Sequence, residues 1–294
     1  MPGKLTHYFH AKAVLPKMAV PILEERSFFW GAQGPDFMLF HRALPWLPGR
    51  PLRFAARILH RANPADAFGA MRTTLEQHTD FHEILKSYVA GLLCHYALDC
   101  IAHPFVNAEA ARRARESGVK ILPSVVHNMI ECNLDVGLLQ KKTGKRPHEF
   151  PLKRLFPGEL DLLNIQAGLI RNTLTTLSGI TVRQKKLVQA YRDAIRVSRF
   201  LTDNRYRKRR WIAAAERLFH TGPALSSLMY PEFPDETADY GNQSRRLWAE
   251  GRRESFDDLL DQSVTFAAEL IDVFFAGGDL KTLTGSRNHK GEVC

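Results

Sequence analysis

Cysteine is scarce in this chain and poorly spaced for cross-linking. Cys94, Cys100, Cys132 and Cys294 are the only four among 294 residues, and no Cys-x-x-Cys pair occurs. This argues against a disulfide scaffold and against a thiolate zinc cluster. The thiols read instead as free side chains buried like small hydrophobes, which fits a reducing compartment. Strand signals are missing as well, since no segment shows the apolar–polar alternation of a half-buried strand. No uncharged apolar run approaches the roughly 18 residues needed to span a bilayer. The apolar stretch Ala13 to Leu23 is interrupted by Pro16, Lys17 and Pro21, and no small-residue cleavage site follows, so it does not read as a secretory signal. These absences lead to the expectation of a soluble, cytoplasmic, helical protein.

The chain has 45% hydrophobic residues and a net charge of +10, enough apolar surface for a sizeable core. Its charge is diffuse. Residues 1–150 hold 19 Lys+Arg against 13 Asp+Glu, and residues 151–294 hold 22 against 18, so neither half is a basic tail. A basic balance suits an anionic substrate such as a phosphate ester, or an anionic membrane surface, and equally a protein with no such partner.

Helical periodicity runs through the whole sequence. Thr6 is a candidate cap for a first helix carrying His7 and His10. A short turn covers Glu24 to Trp30, and Gly31-Ala-Gln-Gly-Pro-Asp36 reads as a loop, as does the segment from Pro45 to Pro51. Helices are expected over Leu52–His60, Pro64–Gln77 and Phe81–Ala102, the last stopped by Pro104. Further helices are expected over Pro123–Lys141, Gly158–Leu177, Val182–Thr202, Arg205–Phe219 and Ser255–Phe275, with a Pro-rich loop from Tyr230 to Asp239. Residues 1–276 read as one all-α domain, and the polar segment 277–294 as a disordered tail.

The chemistry concentrates in two stretches. His95, Asp99 and His103 are spaced four apart on an otherwise apolar helix, and residues four apart share a helix face. Burying such groups unpaired costs several kcal/mol, so they need partners. His127 and Glu131 repeat the four-residue step 24 residues after His103. Mixed imidazole and carboxylate donors of this kind suit borderline metals such as zinc. Plain alternatives exist for the individual residues. His127 and Glu131 are also a simple i,i+4 helix pair, and Asp36 after Pro35 is also a turn former.

The order His7, Gly34-Pro-Asp36, His60, His95-x3-Asp99-x3-His103 and His127-x3-Glu131 resembles the zinc-dependent phospholipase C family. That family belongs to an all-α superfamily shared with single-strand-specific P1-type nucleases. Thr6-His7 near the start and Trp248 followed by Ser255-Phe256 add to the similarity, which covers the first 140 residues well and the remainder loosely. The resemblance implies a multi-helix bundle around two or three zinc ions. Asp36, His60, His95 and Asp99 would hold one ion, His103, His127 and Glu131 a second, and His7 with a shared oxygen of Asp99 a third. Asp36 would alternatively serve as a catalytic general base. In secreted members the mature N-terminal residue contributes its amine and carbonyl to the third metal. Here Met1 and Pro2 precede His7 with no signal to be cleaved, a departure from the family.

By the same resemblance the activity is hydrolysis of phosphate esters by metal-activated water, with a phospholipid among the candidate substrates and peripheral membrane contact. A nuclease-like phosphodiesterase is the alternative within the same chemistry, with nucleic acid the less favoured partner. A non-catalytic metal-containing binding protein is the alternative outside it. A phosphohydrolase built on adjacent His-Asp residues is disfavoured, because no such pair occurs. Other residues have weaker claims: His10 as a substitute ligand, and Asp135, four beyond Glu131, as a support for the ligands. His78 and His82 fall outside the pattern. The run Arg205 to Arg210 suits lipid headgroups, nucleic acid or plain solvation.

Overall fold

A computed structural model describes residues 3–43, 51–118, 121–157, 159–235, 246–249 and 251–294. Among the described residues every extended element is helical. In chain order these are α1 (Lys4–Val14), α2 (Glu25–Ala32), α3 (Arg53–Arg61), α4 (Pro64–Gln77), α5 (His82–Glu116) and α6 (Pro123–Thr143). They continue with α7 (Leu152–Leu155), α8 (Leu160–Ser178), α9 (Gln184–Leu201), α10 (Arg207–Leu218), α11 (Phe256–Phe275) and α12 (Leu280–Thr284). Two isolated bridges, Ala249 with Arg252 and Arg287 with Val293, are the extent of β pairing there. The all-α expectation holds. Of the sequence-based expectations, the loop at 45–50, Met1, Pro2, Gly158 and residues 236–239 lie outside the described residues.

Helix α5 runs through the middle, packed by α2, α6 and α11. Its approach to α2 is a backbone contact. A Cβ on Gly91 would lie 2.1 Å from the Phe28 carbonyl oxygen, and one on Gly31 would lie 2.1 Å from that of Tyr88. Only a pair of glycines permits this crossing, which lays the α2 C-terminus and the turn after it directly over His95. Helical length and composition alone would let the stretch Thr79–Glu116 cross a membrane. However, 83% of its most apolar window is buried inside the protein, as a central core helix requires.

The structure corrects five expectations. Gly31-Ala-Gln-Gly-Pro-Asp36 is not a loop, because Gly31 and Ala32 close α2 and Gly34, Pro35 and Asp36 open a 3-10 turn. Cys294 is exposed, while the other three thiols are buried. Thr6 does not cap α1; Gly3 is the cap residue and offers no side chain. Asp135 of α6 caps it instead, accepting from the backbone N–H groups of Gly3, Leu5 and Thr6 and from the Thr6 hydroxyl. A carboxylate at a helix N-terminus is favoured by the dipole and satisfies otherwise orphaned donors.

Pro104 does not end α5, which continues three more turns to Glu116. A proline inside a helix costs about 3 kcal/mol. Beyond it, Phe105, Val106 and Ala110 bury against Val126, Ile130 and Leu134 of α6 and Phe256, Leu259 and Leu260 of α11. Burying the Phe and Val alone is worth about 1.5–3 kcal/mol each, so the packing outweighs the break.

The segment 277–294 is not disordered. It forms α12, capped by Asp279, and then folds back so that Asn288 and His289 are buried. Gly291 lies against the Pro104 ring and the Cys100 carbonyl, the acceptor whose helical donor proline removes. The tail has a docking surface that its polar composition does not announce.

Gly91→Ala should lower unfolding stability by about 3 kcal/mol, because the added methyl has only backbone to displace. Urea unfolding checks this, and a loss under about 0.5 kcal/mol would mean that the α2–α5 crossing is not a backbone contact.

Candidate metal centre

The four-residue step along α5 places the His95, Asp99 and His103 side chains on one face. On the neighbouring elements, His7 comes from α1, Asp36 from the 3-10 turn Gly34–Phe40, His60 from the end of α3, and His127 and Glu131 from α6. All eight residues singled out from the sequence meet in one continuous cluster. Asp99 lies at its centre. Its Oδ1 is 3.3 Å from His7 Nε2 and 3.5 Å from His103 Nε2, and its Oδ2 is 3.1 Å from His95 Nε2. On one side, Asp36 Oδ1 is 2.9 Å from His60 Nε2 and 4.0 Å from His95 Nε2. On the other, Glu131 Oε1 is 3.0 Å from His127 Nε2 and 3.6 Å from His103 Nε2.

Three sets of donors have their ligand atoms within 4.8 Å of one another: His7 with His95 and Asp99, Asp36 with His60 and His95, and His103 with His127 and Glu131. Each could hold a metal ion. His95 belongs to two of them, and Asp99 faces the third through His103.

The outward faces of the imidazoles fix their tautomers. His60 Nδ1 donates to the Ala56 carbonyl at 2.7 Å, His95 Nδ1 to the Ala32 carbonyl at 3.3 Å, and His103 Nδ1 to the His289 carbonyl at 2.8 Å. A carbonyl oxygen can only accept, so each neutral ring keeps its proton on Nδ1 and aims the Nε2 lone pair into the cluster. His127 Nδ1 meets Asn107 Oδ1 at 2.9 Å in the same sense. This is the arrangement by which metal-binding histidines are oriented and made more basic.

With the imidazoles neutral and their Nε2 lone pairs turned inward, hydrogen bonding fails inside the cluster. Asp36 Oδ1, Asp99 Oδ2, His95 Nε2 and His7 Nδ1 are buried with no hydrogen-bond partner among the described residues. Each such group costs about 1–3 kcal/mol. Three of them are lone-pair donors facing their neighbours at short range, which a shared cation would satisfy. A cavity of about 30 Å³ lined by His7, Asp99, His103 and Glu131 gives room for one water-sized species. Donor chemistry, orphaned atoms and space therefore fit a bound cation.

The turn carrying Asp36 depends on Gly34. It has φ +62°, and a Cβ there would fall 2.2 Å from the His95 ring. Neither the left-handed backbone nor the ring contact tolerates a side chain.

Charge in the metal-free cluster is carried as ion pairs. Burial works against ionising Asp99, but His103 and His95 hold its carboxyl well below the ordinary value. Burial likewise opposes ionised Glu131, and His127 and His103 overcome it, leaving the carboxyl far below the usual range. His103 is pulled down by burial and raised by Asp99 and Glu131, with a net rise to about 10. His7 and His60 are also raised, through Asp99 and Asp36 respectively, despite burial.

Neither a known protein family, nor a curated protein, nor a solved structure matches this chain.

The other candidates separate clearly. His10 is buried, with its pKa pushed down to about 3 by burial and by His7, and belongs to none of the three donor sets. Asp135 does not support the ligands of α6, its own helix; it caps α1 and accepts from Tyr230 as well. His82 sits at the exposed start of α5. Two residues were missed. Asn107, which orients His127, continues the series His95, Asp99, His103 by one more four-residue step, so the spacing contained its signal. The His289 ring lies tilted at 4.9 Å from the His60 ring and 5.7 Å from the His95 ring, and its carbonyl accepts from His103. Nothing in the sequence around it shows this.

Asp99→Asn should remove most bound metal, whereas Asn107→Ala should weaken metal binding about 10–100-fold by freeing His127; His78→Ala should do neither. Metal analysis of protein purified without added zinc measures all three, and unchanged content in Asp99→Asn would contradict the site.

The pH dependence follows from His103. Its folded pKa of about 10 exceeds the ordinary 6.5, so its ion pairs stabilise the metal-free protein fully below pH 6.5, and that stability is lost as pH rises through 10. A cation competes with this proton. The zinc-induced rise in Tm should therefore be larger at about pH 8.5 than at about pH 6. A zinc effect that shrinks over that interval would count against His103 as a ligand.

Proposed function

We propose that this chain is a zinc-dependent hydrolase of phosphate esters, similar to phospholipase C in its chemistry. The observation that carries the reading is the sharing of donors: three adjoining sets, linked by His95 and by Asp99 opposite His103, suit neighbouring cations rather than one isolated structural ion. Bound zinc ions would supply an activated water and neutralise charge on the phosphate oxygens. The ligands would be His7, Asp36, His60, His95, Asp99, His103, His127 and Glu131.

The chain itself supplies orientation and access. Carbonyls of Ala32, Ala56 and His289 hold three imidazoles in the lone-pair-inward tautomer, so little reorganisation is left for the reaction. A cleft of about 310 Å³ opens onto His60, His103, His127 and Glu131, and a phosphate ester entering it meets those four residues. In place of binding a metal, Asp36, whose Oδ1 lies 2.9 Å from His60 Nε2, would serve as the general base that accepts a proton from the attacking water.

Peripheral contact with a phospholipid surface is supported by α10 and the residue after it. Trp211 is 76% exposed, Leu218 73% and Phe219 72%, and the exposed Arg205 and Arg207 lie nearby in sequence. An apolar stripe edged by cations is suited to an anionic interface.

A hydrolysis panel tests the reading. Zinc-loaded protein should cleave a generic phosphodiester and phosphatidylcholine or another phospholipid, with Asp36→Asn reducing turnover at least about 100-fold. Trp211→Ala should slow hydrolysis of lipid in vesicles and leave the soluble ester unaffected. Cleavage of single-stranded nucleic acid alone would favour the nuclease-like alternative. A full metal complement with no hydrolysis of any substrate would favour a metal-containing binding protein.

A further inference from the structure

The cleft over the cluster has a second chemical feature that the metal donors do not explain. One wall is the exposed face of α3, where Arg53, Arg57 and Arg61 follow one another at four-residue steps, and Lys290 of the folded-back tail joins them. Among the described residues none of these four cations makes an ion pair. Among the described residues, Glu131 is the only carboxylate lining the same cleft, and it is already committed to His103 and His127. Like charges four apart on a helix repel one another, and among the described residues no other carboxylate lines the cleft to relieve the row.

The row is also longer than one phosphate needs. From Arg53 to Arg61 the helix advances about 12 Å, with Arg61 adjacent in sequence to His60 at the cluster end. A phosphate held at the cluster would engage the Arg61 end and leave the Arg53 and Arg57 guanidiniums free. Guanidinium groups bind phosphate oxygens through paired N–H donors. A zwitterionic headgroup would instead present its quaternary ammonium to four cations.

We infer that the cleft selects phosphate esters carrying a second phosphate, with Arg53 and Arg57 holding that second group while the ester at the cluster end is the one attacked. This rests on the reading of the cleft as the entry to a phosphoesterase site. It narrows the substrate from phospholipids in general to anionic, doubly phosphorylated compounds, and gives the tail a role through Lys290.

Binding separates the inference from turnover. Calorimetry on zinc-loaded protein compares myo-inositol 1-phosphate with the 1,4-bisphosphate, and thymidine 5′-phosphate with the 3′,5′-bisphosphate. The first pair represents a lipid headgroup source and the second a nucleotide source. In at least one pair the second phosphate should tighten binding about tenfold or more. The variant with both Arg53→Gln and Arg57→Gln should bring that ratio within about twofold while metal content stays unchanged. Lys12→Gln with Lys17→Gln, exposed residues outside the cleft lining, should leave the ratio intact.

Equal affinity within both pairs would overturn the inference, as would a ratio that survives the α3 double variant. If the panel of substrates shows no hydrolysis yet the ratio appears and collapses as described, the site still binds bisphosphates and only the catalytic reading fails.

Discussion

Asp99 is 3% exposed in the middle of the longest helix, with three imidazole nitrogens within 3.5 Å of its two oxygens. A carboxylate so deeply buried is tolerable only if positive charge surrounds it. The rest of the structure delivers that charge to Asp99 from α5 itself and from α1. His95 and His103 come from the same helix, one turn to either side. His7 arrives on α1, and Asp36 with His60 extends the cluster toward the cleft. Protons on the imidazoles meet the need in the metal-free chain; divalent cations would meet it with fewer unsatisfied atoms.

The supports are as specific as the donors. The Gly31–Gly91 contact brings the α2 C-terminus close enough for the Ala32 carbonyl to reach His95. Gly34 then lets the following turn lie on the His95 ring and present Asp36 to His60. On the opposite side Asp135, buried on α6, gathers the first N–H groups of α1 and the Tyr230 hydroxyl, which sets the position of His7. The tail closes the arrangement by giving the His289 carbonyl to His103. Core packing and site geometry are thus one problem here: the apolar contacts that carry α5 past Pro104 also hold Asn107 opposite His127.

Much of this was legible in the residues. Four-residue spacing on an apolar background identified His95, Asp99, His103, His127 and Glu131 without any knowledge of tertiary contacts, because helix geometry alone stacks them. The same rule reaches Asn107. The chain's all-helical character followed from its periodicity. Pro104 misled because a local penalty was weighed without the cluster of Phe105, Val106 and the α11 residues that offsets it. Asp135 was legible as a member of the α6 series but not in its role, since its partners are backbone groups about 130 residues away in sequence. His289 and Lys290 were hidden for a similar reason. A polar tail looks unstructured until the His103 ring and the His60 carbonyl give it something to bind. Long-range pairing of this kind leaves no periodic trace.

The central claim is that imidazole and carboxylate groups hold adjacent cations around Asp99. X-ray absorption at the zinc edge of protein loaded with zinc and freed of excess tests it most directly. The account predicts nitrogen and oxygen neighbours at about 2.0–2.2 Å with no sulfur, outer scattering from imidazole rings, and a metal–metal vector of about 3.5–4 Å that disappears in Asp99→Asn. A sulfur shell near 2.3 Å, or a folded protein that retains no zinc, would contradict it.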